Sequence, residues 1–506
     1  MFKFIDNFLD KITMYRLILY ELIGLLVIAL ILGFLGILPY SPGSILFSVS
    51  FLIFVCLITN GIFSKVFEAP TNVESAYITA LILALIIMPF RNVSDLPLLF
   101  WAGVLSMASK YILAINRKHI FNPVAIAIVL TALWLQISAN WWVGTTSMMP
   151  YVLISGLLIV RKIRRSDMMW GFFITAFLTE IFFTIIHGGN IMTTTQTLIF
   201  NSSLLFFAFI MLTEPFTTPP TRGLRIFYAC LVGFLFSPHI HLGTLYSTPE
   251  LALVIGNIFS YLVSPKQKLY LHLKEKIQYG KDQIDFIFAP TTSRMTFSPG
   301  QYMEWTLPHE DPDTRGNRRY FTIASSPTED SMHLGVKFYT QGSSFKKALI
   351  ALDEKKLITA GNLSGDFTLP DDQNVKLVFI AGGIGITPFR SMLKYYLDMH
   401  QKRSIVLMYA NKTASEIAYT DVLEQASKNG VKIVLTLTDT KEIPKDWKGK
   451  TGRITAEMIK EEIPDFKERI FYLSGPHQMV TGFEKTLLEI GVSKLHIKKD
   501  FFPGFV

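Results

Sequence analysis

The stretch KLVFIAGGIGITP, residues 376–388, decides the fold of the C-terminal half of this 506-residue chain. A mostly apolar run, Lys376 to Ala381, leads directly into a turn that contains three glycines. The segment FRSMLKYYL, residues 389–397, follows at once and has the composition of a helix. A buried strand, a tight turn and a helix form the first half of a βαβ unit, in which helices cover a parallel sheet. The stretch therefore predicts an α/β domain with a parallel sheet.

The turn has the residue types of a dinucleotide site. Gly382, Gly383 and Gly385 lack a Cβ, so the backbone can approach a pyrophosphate closely. Thr387 is expected to cap the following helix, and Pro388 suits its first turn. Such a turn is weak evidence alone, but its position between a strand and a helix makes it strong. We therefore expect a dinucleotide to bind at these five residues.

The flanking segments predict two soluble domains. Downstream, strands are expected at Ser404–Ala410 and Lys432–Leu437, with helices between them, which extends the parallel sheet over residues 371–506. Upstream, short runs such as IDFIFA and HLGVKFYT alternate with Gly/Pro turns. This pattern predicts a small antiparallel β-barrel over residues 265–370.

Two strings in the predicted barrel carry groups that could hold a flat, phosphorylated cofactor. In RYFTIASSP, residues 319–327, Arg319 can pair with a phosphate, Phe321 can stack on a ring, and Thr322 can hydrogen-bond a ring nitrogen. In YTQGSSFKKA, residues 339–348, a turn opens a helix whose free N–H groups form an anion site, or Ser is a plain N-cap.

Charge density separates these domains from the rest of the chain. Residues 1–264 contain 24 Asp, Glu, Lys or Arg side chains, whereas the remaining 242 residues contain 63. Apolar runs of helix length with so few charges belong in a bilayer. We predict a polytopic helical membrane domain over residues 1–264 with about ten helices, at roughly residues 14–38, 44–64, 75–90, 97–115, 121–138, 149–160, 168–186, 194–212, 224–238 and 249–263.

Basic residues indicate the orientation of this domain. With ten spans, the even-numbered loops contain nine Lys or Arg residues, and the odd-numbered loops contain only Arg91. The positive-inside rule places both termini and the soluble domains in the cytoplasm. Glu180 and Lys110 lie at membrane depth, where ionisable groups are expensive, so each is either functional or a packing and helix-end residue.

Composition excludes several classes of function. Only two cysteines, Cys56 and Cys230, are present, which leaves no set for an iron–sulfur cluster or a cysteine zinc site. No other metal site is expected. No helix carries the pair of histidines that a stacked haem relay needs. The net charge of +9 comes without a basic run interleaved with aromatics, so we expect no nucleic-acid partner.

Together these motifs resemble the ferredoxin–NADP⁺ reductase family over the whole of residues 266–506. The segment FSPGQY, residues 297–302, resembles the family's PGQY strand and ends at Tyr302. Arg319, Phe321 and Thr322 resemble its R-x-Y-[ST] motif for FAD, with Phe in place of Tyr. The resemblance implies an enzyme that takes hydride from NAD(P)H onto FAD.

The same resemblance implies the remaining site residues. Three further positions resemble family segments: Ser474-Gly475-Pro476 the C-G-P motif, residues 500–505 the closing E-x-F-x-G-Y segment, and residues 342–344 the second FAD segment. It implies that Thr322 and Ser474 lie on the hydride path. The cofactor-binding residues it implies are Tyr302, Arg319, Phe321, Thr322, Tyr339, Gly342, Ser343, Ser344, Gly382, Gly383, Gly385, Thr387, Pro388, Gly475, Pro476 and Phe502.

Two stretches of the membrane domain resemble the membrane subunits of the sodium-pumping NADH:quinone reductase and of the Rnf complex. The first, KHIFNPVA at residues 118–125, resembles their FNPA step, and the second, residues 207–225, their T-D-P turn with Glu214 for Asp. That family attaches FMN to a Thr in an S-x-A-T-P type motif. The corresponding connection, residues 139–150, lacks this motif, and Thr145 and Thr146 are candidates by location only. The binding of a second, non-covalent flavin by the membrane domain stays an open alternative.

These features predict a membrane-bound NAD(P)H oxidoreductase of the inner, cytoplasmic membrane. Electrons would pass from FAD to a quinone, a second flavin or an extracytoplasmic redox partner. The alternative is an ion-translocating subunit of a larger electron-transport complex, and a third is a membrane part that only anchors the reductase. The choice between NADH and NADPH stays open, because Lys412 and Glu416 both follow the second strand of the predicted parallel sheet.

Overall fold

The chain divides into two compact units, and the boundary lies between Ser264 and Pro265. The structure is a computed structural model that describes residues 5, 8–9, 12–67, 73–115, 118–163, 165–266, 268–291, 295–313, 316–339, 342–441 and 443–500. Each unit has its own apolar core.

The N-terminal unit is helical. Its described helices are α1 Met14–Phe34, α2 Pro42–Val66, α3 Val73–Ile86, α4 Leu96–Ile112, α5 Pro123–Trp134, α6 Met149–Ile163, α7 Ser166–Ile186, α8 Ile191–Phe200, α9 Leu204–Phe206 continued by a π-helical turn Phe207–Met211, α10 Arg222–Leu235 and α11 Pro249–Val263. Their outward faces carry exposed apolar side chains such as Ile31, Phe54 and Leu178. A helix that is apolar on its exposed face as well as in the core suits a lipid environment.

Three of these helices, α1, α2 and α7, are long and apolar enough to cross a membrane. The bent pair Ile191–Phe200 and Leu204–Met211, with 55° between its parts, makes up to four if it counts as one span. Among the described helices, α3, α5 and α11 are apolar but have only 10–17 residues. These short helices are well below the about 20 residues of a straight crossing. Ten crossings therefore stay a prediction.

The first half of the second unit is a six-stranded antiparallel sheet, which we call the antiparallel lobe. Its elements are β1 Leu269–Tyr279, β2 Gln283–Pro290, β3 Tyr302–Thr306, β4 Arg318–Thr322, β5 Met332–Lys337, α12 Ser344–Ile350 and β6 Leu357–Ser364. The strand order is β4-β3-β6-β1-β2-β5. Alternate residues such as Leu271, Phe286 and Trp305 point into the lobe's core.

The second half is a six-stranded parallel sheet, which we call the parallel lobe. Its elements are β7 Leu377–Gly382, α13 Thr387–Asp398, β8 Ile405–Asn411, α14 Thr420–Lys428, β9 Lys432–Leu437, β10 Lys450–Thr451, α15 Ala456–Glu462, β11 Ile470–Ser474, α16 His477–Glu489 and β12 Ile497–Lys499. The strand order is β10-β9-β8-β7-β11-β12, and every pairing is parallel. Strand β7 is buried along its whole length, as its sequence predicts.

Candidate functional site

The glycine-rich turn lies at the carboxyl end of the central strand β7. A 3₁₀ turn over Gly383–Ile386 connects the strand to helix α13. A Cβ on Gly385 would lie 2.5 Å from the carbonyl oxygen of Ser474, and one on Gly382 would overlap the sulfur of Met479. Glycine is therefore required at Gly385, where the turn packs against backbone atoms at the end of strand β11, whereas the atom that faces Gly382 belongs to the flexible Met479 side chain. In open α/β sheets this edge is where ligands bind.

The role predicted for Thr387 is wrong in its detail. Helix α13 begins at Thr387 itself, and Ile386, the residue before it, makes no side-chain cap. The Thr387 hydroxyl instead donates to the carbonyl oxygen of Ile384 at 3.2 Å and closes the 3₁₀ turn. The helix begins directly after the 3₁₀ turn, so Thr387 is its first residue and not the N-cap residue before it. Pro388 lies in the first helical turn, as predicted.

Three polar side chains from both lobes meet beside this turn. Thr322 ends strand β4 of the antiparallel lobe, and Ser474 ends strand β11 of the parallel lobe. Both hydroxyls donate to the same atom, Oδ2 of Asp500, at 3.4 Å from Thr322 and 3.1 Å from Ser474. Asp500 directly follows strand β12. Thr322 and Ser474, the two residues predicted to lie on the hydride path, therefore hydrogen-bond the same carboxylate.

Burial raises the pKa of Asp500 to about 7, and the hydrogen bonds from Ser474 and Thr322 lower it by less. A carboxyl group with such a pKa can exchange a proton near neutral pH. Asp500 lies in the closing segment noted from the sequence, but sequence reasoning did not select it as a site residue. An acidic residue next to a Phe-Phe-Pro-Gly run was the available signal.

Arg319 is a buried residue of strand β4, and its guanidinium forms a bidentate pair with Asp313. The distances from Nη2 to the two carboxylate oxygens are 2.8 and 3.0 Å. The guanidinium carbon also lies 5.4 Å from the ring centroid of Phe345. Phe321, two residues further along the strand, is half-buried with its ring 5.9 Å from the same Phe345. Arg319 and Phe321 thus share one neighbourhood, as alternation along the strand predicts.

Residues 342–344, the second segment predicted to bind phosphate, form the hydrogen bonds of an ordinary helix N-cap. The Ser343 side chain accepts from the N–H of Lys346 and begins the short helix α12. The Ser344 hydroxyl accepts from the N–H of Asp313 at 2.8 Å. Asp313 therefore connects this segment to Arg319. Tyr339 is 62% exposed and lies under the ammonium group of Lys346, and Gly342 follows two residues outside the described part of the chain.

Three further predicted residues, Tyr302, Gly475 and Pro476, lie near this point. Tyr302 is half-buried and pairs with Thr322 across strands β3 and β4. Gly475 has a φ of +155° and lies against Gly382, and Pro476 precedes helix α16. Phe502 lies outside the described residues. Among those described, no group of three or more His, Cys, Asp or Glu side chains is arranged to hold a metal ion.

In the helical unit the two stretches noted from the sequence are joined. The Asn122 side chain caps helix α5 by accepting from the N–H groups of Val124 and Ala125. Its Nδ2 donates to Oε2 of Glu214 at 2.9 Å, and Nε2 of His119 lies 3.5 Å from Oε1 of the same carboxylate.

Asn257 of helix α11 completes this arrangement, because its Oδ1 accepts from the N–H of Asn122 at 2.7 Å. Its Nδ2 also donates to the hydroxyl of Tyr228 at 3.3 Å. Sequence reasoning missed Asn257, although a lone Asn in an apolar helix is a signal. We call the set His119, Asn122, Glu214 and Asn257 the polar seam.

The two ionisable residues noted at membrane depth have different surroundings. The Lys110 ammonium donates to Oγ and the carbonyl oxygen of Ser75 and to Oγ1 of Thr79, at 2.9–3.1 Å. Glu180 lies 4.0 Å from Nε2 of His239, which is at the limit of an ion pair. Thr146 hydrogen-bonds Oδ1 of Asn201 at 2.7 Å. Lys110 is thus held by three oxygen atoms within the helical unit.

Comparisons with known proteins concern the second unit. A family model described as "Oxidoreductase NAD-binding domain" matches residues 379–485. NADH-cytochrome b5 reductase 1 of Aspergillus terreus is 28% identical over 244 residues, which are 46% of this chain and 81% of that protein. The C-terminal half contains this NAD-binding domain and is similar to FAD- and NAD(P)H-dependent oxidoreductases.

Other relatives match the same module. Flavohemoprotein A of Dictyostelium discoideum is 24% identical over 246 residues, 45% of this chain and 58% of that protein. The matched part thus spans less than two thirds of this relative. The solved cytochrome b5 reductase domain of Ulva prolifera nitrate reductase has 24% sequence identity and a TM-score of 0.40, over 47% of this chain and 98% of that chain.

Proposed function

We propose that this protein is a membrane-bound flavin oxidoreductase. It takes hydride from NAD(P)H onto FAD at the cytoplasmic face and passes the electrons to a membrane or extracytoplasmic acceptor. The observation that carries the proposal is the meeting of Thr322, Ser474 and Asp500 beside the glycine-rich turn. Groups from both lobes converge there, where a reductase needs the nicotinamide and the flavin to be in contact.

The residues around this point fit a bound flavin dinucleotide. Arg319 would face the pyrophosphate together with the segment 342–344, Phe321 would stack on the ring system, and Tyr302 and Tyr339 would line it. The donor set suits the group, since a buried guanidinium, an aromatic ring and a strand-end hydroxyl follow one another on one strand. When bound, FAD supplies acceptance of a hydride and release of single electrons.

The turn would bind the second substrate. Without side chains at Gly382, Gly383 and Gly385, the backbone of the turn would approach a pyrophosphate above the start of helix α13, whose N-terminal end favours an anion. Thr387 and Pro388 begin that helix, while Gly475 and Pro476 would border the nicotinamide. Thr322 and Ser474 would hold the reacting rings in register. The protein thereby supplies orientation, since hydride transfer needs reacting atoms about 3–3.5 Å apart.

Asp500 would hold a proton at this point. Its Oδ2 accepts hydrogen bonds from Thr322 and Ser474, and its pKa of about 7 allows it to gain or lose a proton at working pH. Proton exchange there would balance the charge that arrives with the hydride.

We further propose three domains, at residues 1–264, 265–370 and 371–506. The first would be a multi-pass domain of the inner membrane with about ten helices, with the reductase module and both termini in the cytoplasm. Nine Lys or Arg residues in the even-numbered loops against Arg91 support that orientation. A quinone or a second, non-covalent flavin would be the acceptor within this domain.

A second candidate function, redox-driven ion translocation in a larger electron-transport complex, is favoured by one observation. The polar seam joins the Glu214 carboxylate to Asn122 and His119, and through Asn122 to Asn257, inside an apolar helical unit. Ionisable groups in such surroundings commonly lie on ion or proton pathways. Sodium-dependent NADH oxidation in sealed vesicles would support this function, and a rate independent of sodium would count against it.

The main proposal is tested by flavin analysis of the purified full-length protein. Anaerobic addition of NADH, and separately of NADPH, should bleach the flavin absorbance. Acid precipitation should then release all flavin into the supernatant, with one or two flavins per chain. A protein that retains no FAD, or whose FAD neither cofactor reduces, would contradict the proposal. Flavin that stays with the pellet would contradict the non-covalent assignment.

A further inference from the structure

Gly335 lies in strand β5, where the antiparallel lobe contacts the glycine-rich turn of the parallel lobe. A Cβ at this position would lie 2.6 Å from Cγ2 of Thr387, 2.7 Å from the hydroxyl of Tyr419 and 3.0 Å from Cδ1 of Ile384. Gly335 pairs with Asp285 in an ordinary antiparallel ladder. Its backbone would therefore accept any residue, and the close contact alone requires glycine.

Two of the three atoms that face Gly335, those of Thr387 and Tyr419, cannot easily move away. Thr387 is β-branched, and its hydroxyl is engaged with the carbonyl oxygen of Ile384. Tyr419 is 3% exposed and has a left-handed backbone with a φ of +59°. Its ring lies 5.4 Å from that of Tyr279 and 5.5 Å from the guanidinium carbon of Arg390. An added methyl group would therefore displace the turn rather than one loose side chain.

Helix α13, which follows the turn, is also fixed to the antiparallel lobe. The Ser391 hydroxyl donates to the carbonyl oxygen of Ser325 at 2.6 Å, and the buried Arg390 donates to that of Ala324 at 3.2 Å. Arg390 also forms a bidentate pair with Glu329. These acceptors lie in the segment that follows Thr322. The strand with the proposed flavin residues and the helix of the nicotinamide turn are thus directly connected.

We propose that Gly335 is a positioning residue for hydride transfer. Because Gly335 has no side chain, strand β5 packs closely against the turn 383–387 and sets the distance between them. Arg390 and Ser391 fix the position of helix α13, which follows the turn. The contact thereby sets how near a nicotinamide held by the turn comes to the ring beside Phe321. This inference rests on the proposed function, and it makes the lobe contact a rigid joint rather than a hinge.

The test compares Gly335→Ala with Gly482→Ala in the full-length protein. Gly482 lies in helix α16 with no atom within 4 Å of an added Cβ, so it controls for the substitution itself. For Gly335→Ala we expect normal flavin content, an unchanged NADH concentration for half-maximal rate and a limiting rate of flavin reduction lower by about 10- to 100-fold, as a misplacement of about 1 Å would cause. Gly482→Ala should keep all three values.

A second measurement does not depend on activity. Amide hydrogen exchange without nicotinamide should be faster in residues 383–391 of Gly335→Ala than in the wild type, because the joint has opened. Gly482→Ala should match the wild type in that segment. Unchanged exchange together with an unchanged reduction rate in Gly335→Ala would overturn the inference.

A background with two further substitutions tests whether the effect of Gly335→Ala is steric. Thr387→Ser removes Cγ2 and keeps the hydroxyl, and Tyr419→Phe removes the phenolic oxygen. When both are present, the further effect of Gly335→Ala should shrink to less than about one third of its effect in the wild type. An equal effect in both backgrounds would overturn the steric origin. A wild type that neither NADH nor NADPH reduces would refute the proposed function, and the exchange result would still decide whether the joint exists.

Discussion

At the scale of single residues, the carboxylate of Asp500 connects the two lobes and gives the site a group that titrates near neutrality. Thr322 and Asp500 are 178 positions apart in the sequence, yet their side chains are in contact. Because two strand ends bring them together, sequence spacing alone could not reveal the contact. Sequence motifs were sufficient to predict Thr322 and Ser474 as site residues, whereas the position of Asp500 between them follows only from the fold.

The raised pKa of Asp500 predicts how stability changes with pH. Its folded pKa of about 7 lies above the ordinary value of 3.8, so the folded state holds the proton more tightly. Its contribution to stability is full below about pH 4 and is lost as pH rises through about 7. Asp500→Asn should therefore lose less of its thermal stability than the wild type between about pH 5 and about pH 8. Thermal unfolding of the two proteins across this range measures the difference.

Asp465 provides the control for this prediction. A hydrogen bond from Arg469 and a weaker effect of Lys376 together lower its pKa to about 2, despite partial burial. Its stabilising contribution is lost only in acid, as pH falls through about 4 toward about 2. Asp465→Asn should lower stability by the same amount at each pH above about 5. An Asp500→Asn profile parallel to that of the wild type would contradict the assigned pKa.

Arg319 carries the prediction for flavin binding. Arg319→Ala should lower the FAD content of the purified protein, with affinity reduced by about tenfold or more, because a buried charge-assisted contact is lost. Arg318→Ala is the matched control, since Arg318 is the neighbouring, more exposed residue and its guanidinium lies 3.5 Å from Glu304. The flavin-to-protein absorbance ratio of each variant gives the answer. Full flavin content in Arg319→Ala would refute the assignment.

At the scale of elements, the sequence pattern predicts most of the reductase module. The run Leu377–Gly382 reads as a buried strand, and the turn after it is where the pattern places it. The sequence did not predict the first residue of helix α13. The Thr387 hydroxyl, which was expected to cap the helix, closes the preceding 3₁₀ turn instead. In the helical unit the polar seam joins residues 135 positions apart, and only the packing of α5 against α11 reveals that contact.

The turn gives the prediction at this scale. Gly385→Ala would force a Cβ to within 2.5 Å of the Ser474 carbonyl and 2.6 Å of the Gly475 nitrogen. Since both neighbours are backbone, the turn must shift, and nicotinamide binding should weaken by about tenfold or more. FAD content should stay normal, because the residues proposed to hold the flavin lie on strand β4 of the antiparallel lobe. Titration of flavin reduction against NADH concentration measures the change, and an unchanged half-saturation would contradict the role of the turn.

At the scale of the whole molecule, the division at Ser264–Pro265 separates two folds that differ in the character of their surfaces. The first unit exposes apolar helix faces, whereas the second buries its apolar residues in the cores of two sheets. Charge density and the end of the last apolar run predict a boundary near this point. The number of crossings is harder to predict, because several apolar segments form helices shorter than a bilayer is thick and one is bent by 55°. Hydropathy measures composition, and it does not distinguish a span from a half-span packed between neighbours.

The proposed orientation leads to a prediction about intact membranes. Nicotinamide dinucleotides are charged and do not cross a lipid bilayer, so only a reductase module on the outside of a vesicle can use added NADH. Inverted membrane vesicles that contain the protein should oxidise NADH at once. Right-side-out vesicles should do so about tenfold or more slowly until detergent opens them. Gly385→Ala in inverted vesicles, assayed below saturating NADH, controls for other dehydrogenases. A higher rate in intact right-side-out vesicles than in inverted ones, sensitive to that substitution, would place the module on the opposite side from the one that the basic loops predict.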